Sequence, residues 1–244
     1  GGLSHNKFKD YNVNKSGLIL NNATGNHHGI VRTDIGGLVV DNPNLSNSGV
    51  AKIILNEVTS TNKSFINGYT EVAGSKAEVI IANPNGVSFN GAGFLNIGRL
   101  TAVVGSANQF NPHRNDLTFN LNGNNNTQNQ LDDDSFLPKL TISGSGLDVS
   151  NVDKVDLIAS TMNIVAPIYG DDDNVTSLKA GDKQFNYKTK EVTSIDLSTP
   201  EETPEEIAID ASNLADIQTG QVYIIVTKDG AGVNRSLLVT SFVL

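Results

Sequence analysis

The amino-acid pattern predicts an all-β chain, and within that class a solenoid of short strands. Three observations carry this. Helix signals are nearly absent: no long 3.6-residue apolar periodicity appears, while Asn, Gly, Thr, Ser and Asp, which favour turns over helices, recur every few residues. Short β-branched runs lie between those turns, the pattern of many short strands. Aromatic residues are only 6% and Trp is absent, thin for a sandwich core but sufficient for stacked ladders of Val, Ile and Leu. The Asn-rich turns point the same way, because Asn side chains stack by hydrogen bonding along a cross-β direction.

Taken in order, the expected strands are centred on Gly17–Leu20, Gly37–Val40, Lys52–Leu55, Glu78–Ile81, Leu117–Phe119, Lys139–Ile142, Val155–Ile158 and Val222–Val226. One element recurs in related form. Val39-Val40-Asp41-Asn42-Pro43-Asn44-Leu45 is echoed by Ile80-Ile81-Ala82-Asn83-Pro84-Asn85-Gly86, with Asn42 and Asn83 41 residues apart. That offset reads as two turns of a solenoid whose coil takes about 20 residues. Two polar stretches break the pattern. Residues 107–135 read as a hairpin near Leu117–Leu121 followed by a polar loop containing Asp132-Asp133-Asp134. Residues 170–206 contain Asp171-Asp172-Asp173 and the Pro- and Glu-rich run Thr199–Glu206, and read as a solvated connection outside the solenoid. No clean domain boundary appears, so residues 1–244 are expected to form one domain.

Composition excludes several functions. The net charge of −9 and pI near 4.8, with no basic run, argue against nucleic acid and against docking on an anionic membrane. With no Cys there is no disulfide, thiolate nucleophile or zinc-thiolate site. No apolar stretch is long enough for a membrane helix, and the opening Gly1–Asn6 is no signal peptide. The chain is thus either cytoplasmic or a mature or trimmed form of an exported protein. The histidines, His5, His27, His28 and His113, form no metal-ligand spacing, and no nucleophile elbow or phosphate-binding loop occurs. The Asp runs lack the ordered pattern of a calcium loop and read as solvated acidic turns. No metal, cofactor or catalytic residue is expected.

The Asn-Pro-Asn elements each end a strand. Proline fixes φ near −65°, so Pro43 and Pro84 suit position i+1 of a β-turn, and Asn side chains bond neighbouring backbone groups. The plain reading is two solenoid corners; the functional reading is an exposed address for a transporter. Composition and spacing leave both open.

The blocks Gly2-Leu3-Ser4-His5-Asn6-Lys7-Phe8, Tyr11-Asn12-Val13 and Gly17–Asn22 resemble the opening of the filamentous haemagglutinin and haemolysin two-partner-secretion domain, and equally that of contact-dependent growth inhibition exoproteins. The resemblance continues through Asn42–Leu45, Ile54–Val58, Gly68–Gly74, Val79–Val87, Gly93–Asn96, Gly144–Asp148, Ile209–Ser212 and Gly230–Asn234, spanning nearly the whole chain. It implies a single-stranded right-handed parallel β-helix with extra-helical hairpins. It also implies a role as the N-terminal secretion signal of a larger bacterial exoprotein, secreted or held at the cell surface by way of the periplasm. The implied partner is an outer-membrane β-barrel transporter with periplasmic POTRA domains (TpsB type), met by a monomer that does not itself insert into the membrane.

By that resemblance Asn42, Pro43, Asn44 and Leu45, and Asn83, Pro84, Asn85 and Gly86, are the recognition or structural turns. Family members often carry Ile after the second element, where this chain has Val87. They also usually have a short β-segment before the Ser-His-Asn block, absent here, which leaves the first coil with an incomplete cap or marks a trimmed chain. The alternative readings are a carbohydrate-binding adhesin module and a β-helix polysaccharide lyase. The lyase would need carboxylates paired across coils beside Lys or Arg, and aromatic platforms in which the chain is poor.

Overall fold

The computed structural model describes residues 2–24, 29–108, 116–121, 138–194, 207–211, 217–227 and 232–235. The chain winds through three parallel faces in turn. Each coil from the second to the sixth adds one strand to each face, while the first and seventh show two strands each among the described residues. The first coil holds β1 (Leu3–Phe8) and β2 (Leu18–Asn22), after which the hairpin β3 (Ile30–Thr33) and β4 (Gly37–Val40) leaves the solenoid. The second holds β5 (Ile53–Val58), β6 (Ser64–Ile66) and β7 (Tyr69–Gly74). The third holds β8 (Ala77–Ala82), β9 (Val87–Phe89) and β10 (Ala92–Leu95). The fourth begins with β11 (Ile97–Val103), departs through β12 (Ser106–Ala107) and β13 (Thr118–Asn120), and resumes with β14 (Leu140–Ile142) and β15 (Leu147–Asp148).

The fifth coil holds β16 (Val152–Ala159), β17 (Met162–Ile164) and β18 (Ile168–Tyr169). The sixth begins with β19 (Val175–Ala180), departs through β20 (Gln184–Asn186) and β21 (Val192–Thr193), and resumes with β22 (Ile207–Ala211) and β23 (Ile217–Gln218). The seventh holds β24 (Gln221–Val226) and β25 (Gly232–Arg235). The seven strands β1, β5, β8, β11, β16, β19 and β24 form the first and longest face. This is a parallel β-helix.

The register explains why the sequence winds this way. Glu78 pairs with Arg99, and Lys154 with Val175, 21 positions on in each case, so an uninterrupted coil takes the expected length. Inward-pointing residues then stack in columns: Ile54, Val79, Leu100 and Val155 in one, and Ile81, Ala102, Leu157 and Leu178 in the next. These, with Phe89 and Phe94 from the other faces, form a continuous buried core. At the N-terminal end the column turns polar. Asn6 donates to the Asn56 side chain at 3.2 Å, and Asn56 donates to the Tyr11 hydroxyl at 3.3 Å, closing the open end with a satisfied network. Burial pushes the Tyr11 phenol well above its ordinary range. Where the third face meets the first, buried Asn side chains seal the corners between coils. Asn22 donates to the carbonyls of Ala51 and Ser75, and Asn174 to that of Val152.

The excursions differ from the sequence reading. Of residues 107–135 and 170–206, the described parts do not run as two separate polar loops. Within the second, β19 is an interior strand of the first face, its Leu178 and Ala180 fully buried. The departing pieces meet instead: β12, β13, β20 and β21 form one antiparallel sheet, with Phe119 opposite Phe185. This sheet packs on the outer side of the first face. Leu55, Ile80, Val103 and Ile158 pack under Leu117, Phe119, Leu121 and Phe185 in a second core separate from the solenoid interior. The driving pattern is the run Val79-Ile80-Ile81-Ala82, apolar on both sides of the strand, which demands cover on both. Residues 122–137, with Asp132–Asp134, and residues 195–206 lie outside the described residues.

Candidate functional site

The two Asn-Pro-Asn elements adopt the same local geometry. In each, the Asn side-chain oxygen accepts from the backbone N–H two residues on: Asn44 to Asn42 at 3.0 Å, Asn85 to Asn83 at 2.9 Å. In each, the Asn carbonyl accepts from the residue three on: Leu45 to Asn42 at 3.1 Å, Gly86 to Asn83 at 3.2 Å. Pro43 and Pro84 therefore occupy position i+1, where their fixed φ is already correct. Around Pro43–Leu45 the turn continues as a short 3₁₀ helix with Asn42 as its N-cap.

Their surroundings differ. Asn83 is 0% exposed and sits at the corner between the first and second faces. Its side-chain amide donates to the Asn62 carbonyl and the Ser64 hydroxyl, both at 2.9 Å, and its own N–H donates to Val103 of the next coil. Asn85 reaches down to the Ser60 carbonyl at 2.7 Å. Gly86 has φ +114°, and a Cβ there would lie 3.0 Å from the Lys139 carbonyl, so both conformation and space call for glycine. Asn42–Leu45 instead follows the extra-helical hairpin. Asn42 donates from its side chain to Asn21 and from its backbone to Ala23, tying the turn to the end of β2, while Pro43 and Asn44 are exposed. The 41-residue offset is thus not two equivalent corners: Asn83 lies between β8 and β9, and Asn42 between the hairpin and β5.

The hairpin is anchored from below. Glu71 of β7, almost fully buried, turns its carboxylate to the hairpin tip and accepts from the N–H groups of Asp34 at 2.9 and 3.0 Å and of Ile35 at 3.0 Å. Its register places Ile30 opposite Val40 and Arg32 opposite Leu38 on one side. That side faces solvent, with Ile30 52%, Val40 67% and Leu38 71% exposed. Sequence reading placed a strand at Gly37–Val40 but not this apolar face; the signal was present in three large hydrophobic residues at alternate positions flanking Arg32.

The residues considered for chemistry do not assemble into a site. His5 bonds Glu57 at 2.7 Å, and Glu57 also accepts from the Ala107 N–H at 3.0 Å, a link from the first coil to the extra-helical sheet. His27, His28 and His113 lie outside the described residues. Asp171–Asp173 form a turn in which the Asp171 carbonyl accepts from Asn174 and Gly220. Among the described residues no group of three His, Cys, Asp or Glu is placed to hold a metal ion, and no helix is long and apolar enough to cross a membrane.

A parallel β-helix carrying an extra-helical hairpin and an outer antiparallel sheet defines the class of this chain as a solenoid module. The family model described as the TPS secretion domain matches residues 1–241, and the chain belongs to that family of exoprotein secretion domains. It is 36% identical over 95% of its length to the tRNA nuclease CdiA-2 of Burkholderia pseudomallei (strain 1026b), and 35% identical over 97% to the toxin CdiA of Yersinia pestis. It spans only 7% and 6% of those proteins. Among solved structures it is similar to the filamentous hemagglutinin secretion domain, with a TM-score of 0.76 and 27% identity, covering 96% of this chain and 72% of that one.

Proposed function

We propose that this domain addresses a longer exoprotein to an outer-membrane β-barrel transporter, is met first by that transporter's periplasmic POTRA domains, and reaches the outside without catalysing any reaction. Membership of the secretion-domain family supports the role. The observation that carries the placement is the contrast between the two turns. Asn83–Gly86 is consumed by the solenoid's own hydrogen bonds, whereas Pro43 and Asn44 are exposed and follow closely in sequence on Val40 of the apolar hairpin face. The address is therefore Asn42–Leu45 together with Ile30, Leu38 and Val40, and Asn83–Gly86 serves the fold. The apolar hairpin face supplies contact area and the turn sets register against a partner strand. The catalytic activity named for the nuclease relatives belongs to parts of those proteins outside the small share matched here.

Export of the domain behind a signal peptide, with and without its transporter, tests this. Leu38→Ser combined with Asn44→Ala changes only exposed groups, and should cut transporter-dependent export at least tenfold while circular dichroism stays native. Native export by that double variant, or export that ignores the transporter, would remove the hairpin and turn from the recognition surface.

A further inference from the structure

The loop joining β20 to β21 gathers cations over the outer side of the first face. Lys190 holds φ 64°, a left-handed conformation that non-glycine residues seldom adopt. The loop fixes it there: the Lys190 N–H donates to the Asn186 carbonyl at 2.8 Å, and the Asn186 side chain accepts from Lys188 and Thr189 at 2.8 and 3.1 Å. The Lys190 carbonyl in turn accepts from the buried Lys179 ammonium at 3.0 Å. This geometry lays the Lys190 ammonium 3.1 Å from the centre of the Tyr187 ring. Beneath it, Asp156 of β16 is held from both sides, one oxygen by Arg99 of β11 and the other by Lys179 of β19 at 2.9 Å. Glu78 of β8 is engaged by the Tyr187 hydroxyl.

Arg99, Lys154, Lys179 and Lys190, with Asp156 and Tyr223, line a cavity of about 250 Å³ open to solvent. Four cations face one lining carboxylate, and counting Glu78 behind them still leaves two positive charges unbalanced among the described residues, in a chain whose net charge is −9. Among the described residues no carboxylate lies within ion-pair distance of Lys154 or Lys190. Like charges gathered in a partly desolvated place repel, and an anion between them relieves the repulsion. The cavity lies below the ~300–1,000 Å³ typical of drug-sized ligands, which fits one compact unit. The exposed Tyr223 ring at its lip offers an apolar wall to whatever carries the anion.

We propose that this cavity binds a monosaccharide-sized ligand bearing one oxyanion, phosphate or carboxylate, gripped by Lys154 and Lys190 with its ring against Tyr223. Asp156 has both oxygens committed to Arg99 and Lys179, so the site binds and does not catalyse. Burial, then repulsion from Arg99, pulls Lys190 down to about 8, with Asp156 and Glu78 opposing and Lys179 adding to the fall. Anion affinity therefore drops as pH rises through that value and the ammonium discharges.

Calorimetric titration of the folded domain with glucose 6-phosphate, glucuronate, inorganic phosphate and glucose tests the site. Saturable binding of glucose 6-phosphate or glucuronate is expected, with none for glucose; the tighter of the two anions names the source. Lys190→Met and the exposed Lys154→Ser should each weaken it at least tenfold. Glucuronate, whose own charge is constant, should bind several-fold more weakly at pH 9 than at pH 7, a difference that Lys190→Met abolishes. No saturable binding by any anion, or affinity unchanged in both variants, overturns the proposal. Equal affinity for inorganic phosphate and glucose 6-phosphate overturns the sugar wall at Tyr223.

Discussion

The side chain of Asn83 is fully buried; its amide donates to the buried Ser64 hydroxyl and, at a half-buried position, to the Asn62 carbonyl, and its oxygen accepts from half-buried Asn85. Replacing it with Ala leaves the buried Ser64 hydroxyl without this donor and loosens the turn at Asn62 and Asn85, at about 1–3 kcal/mol for such an orphaned buried group. Asn42 makes the matching bonds, to Asn21 at a half-buried position and from Asn44 at the surface, where water takes over when the second is lost. An exposed N-cap deletion costs about 1 kcal/mol. Asn83→Ala should thus lower stability in urea by about 2–3 kcal/mol and Asn42→Ala by about 1 kcal/mol. Equal losses would mean that the two turns are equally structural. The tripeptide alone could not foretell this split, because the same Asn-Pro-Asn geometry serves either setting; what decides is whether the following residues enter the second face, as Val87 does, or run out to β5, as Leu45 does.

At the scale of elements, the strands most legible in the sequence were those of the first face, where β-branched residues lie in runs such as Lys52–Leu55 and Glu78–Ile81. The very short strands β15, β18 and β23 were not, since two residues carry no periodicity. The first excursion reads in the sequence as a hairpin near Leu117–Leu121 with a polar loop, and the second as a solvated connection. Their union in one extra-helical sheet was not legible, because the strands of one lie 64 or more residues from those of the other and a pairing such as Phe119 with Phe185 has no local signature. The sheet's job is to cover the outward Leu55, Ile80 and Ile158 of the first face. Phe185 is fully buried beside Phe119 and Tyr187, with ring centres 6.1 and 6.4 Å away. Phe185→Ala should cost about 3–5 kcal/mol by cavity and transfer terms. Because the solenoid core is a separate cluster, the expected result is early hydrogen exchange at β13, β20 and β21 with β8 and β11 still protected. Simultaneous loss of protection in both would show that the outer sheet and the solenoid unfold as one unit.

The described coils form an ordered stack, and under the proposed role, in which the chain emerges from a transporter's pore, that order has consequences. Among the described residues β1 pairs only with β5, Leu3 opposite Ile53, so that pairing cannot form until some fifty residues after Leu3 are out. Closing that loop is costly in entropy, whereas the next addition, Ile53 to Glu78, closes a shorter one and buries the Val79 column. Once three coils have formed, each further strand finds a ready edge about 4.8 Å from the last, and every added coil makes return through the pore less favourable. Under the proposed role, folding on the far side would then contribute to the direction of export. Val79→Asp puts an unpaired charge in the inner column, where burial is complete, and should stop the early coils from closing. Ile225→Asp places the same charge on the exposed outer side of the last coil and should leave them intact. Transporter-dependent export of the first should fall several-fold below that of the second in a pulse-chase assay. If an unfolded Val79→Asp variant is exported as fast as Ile225→Asp, coil formation follows export without driving it, and the hairpin address alone commits the chain to its transporter.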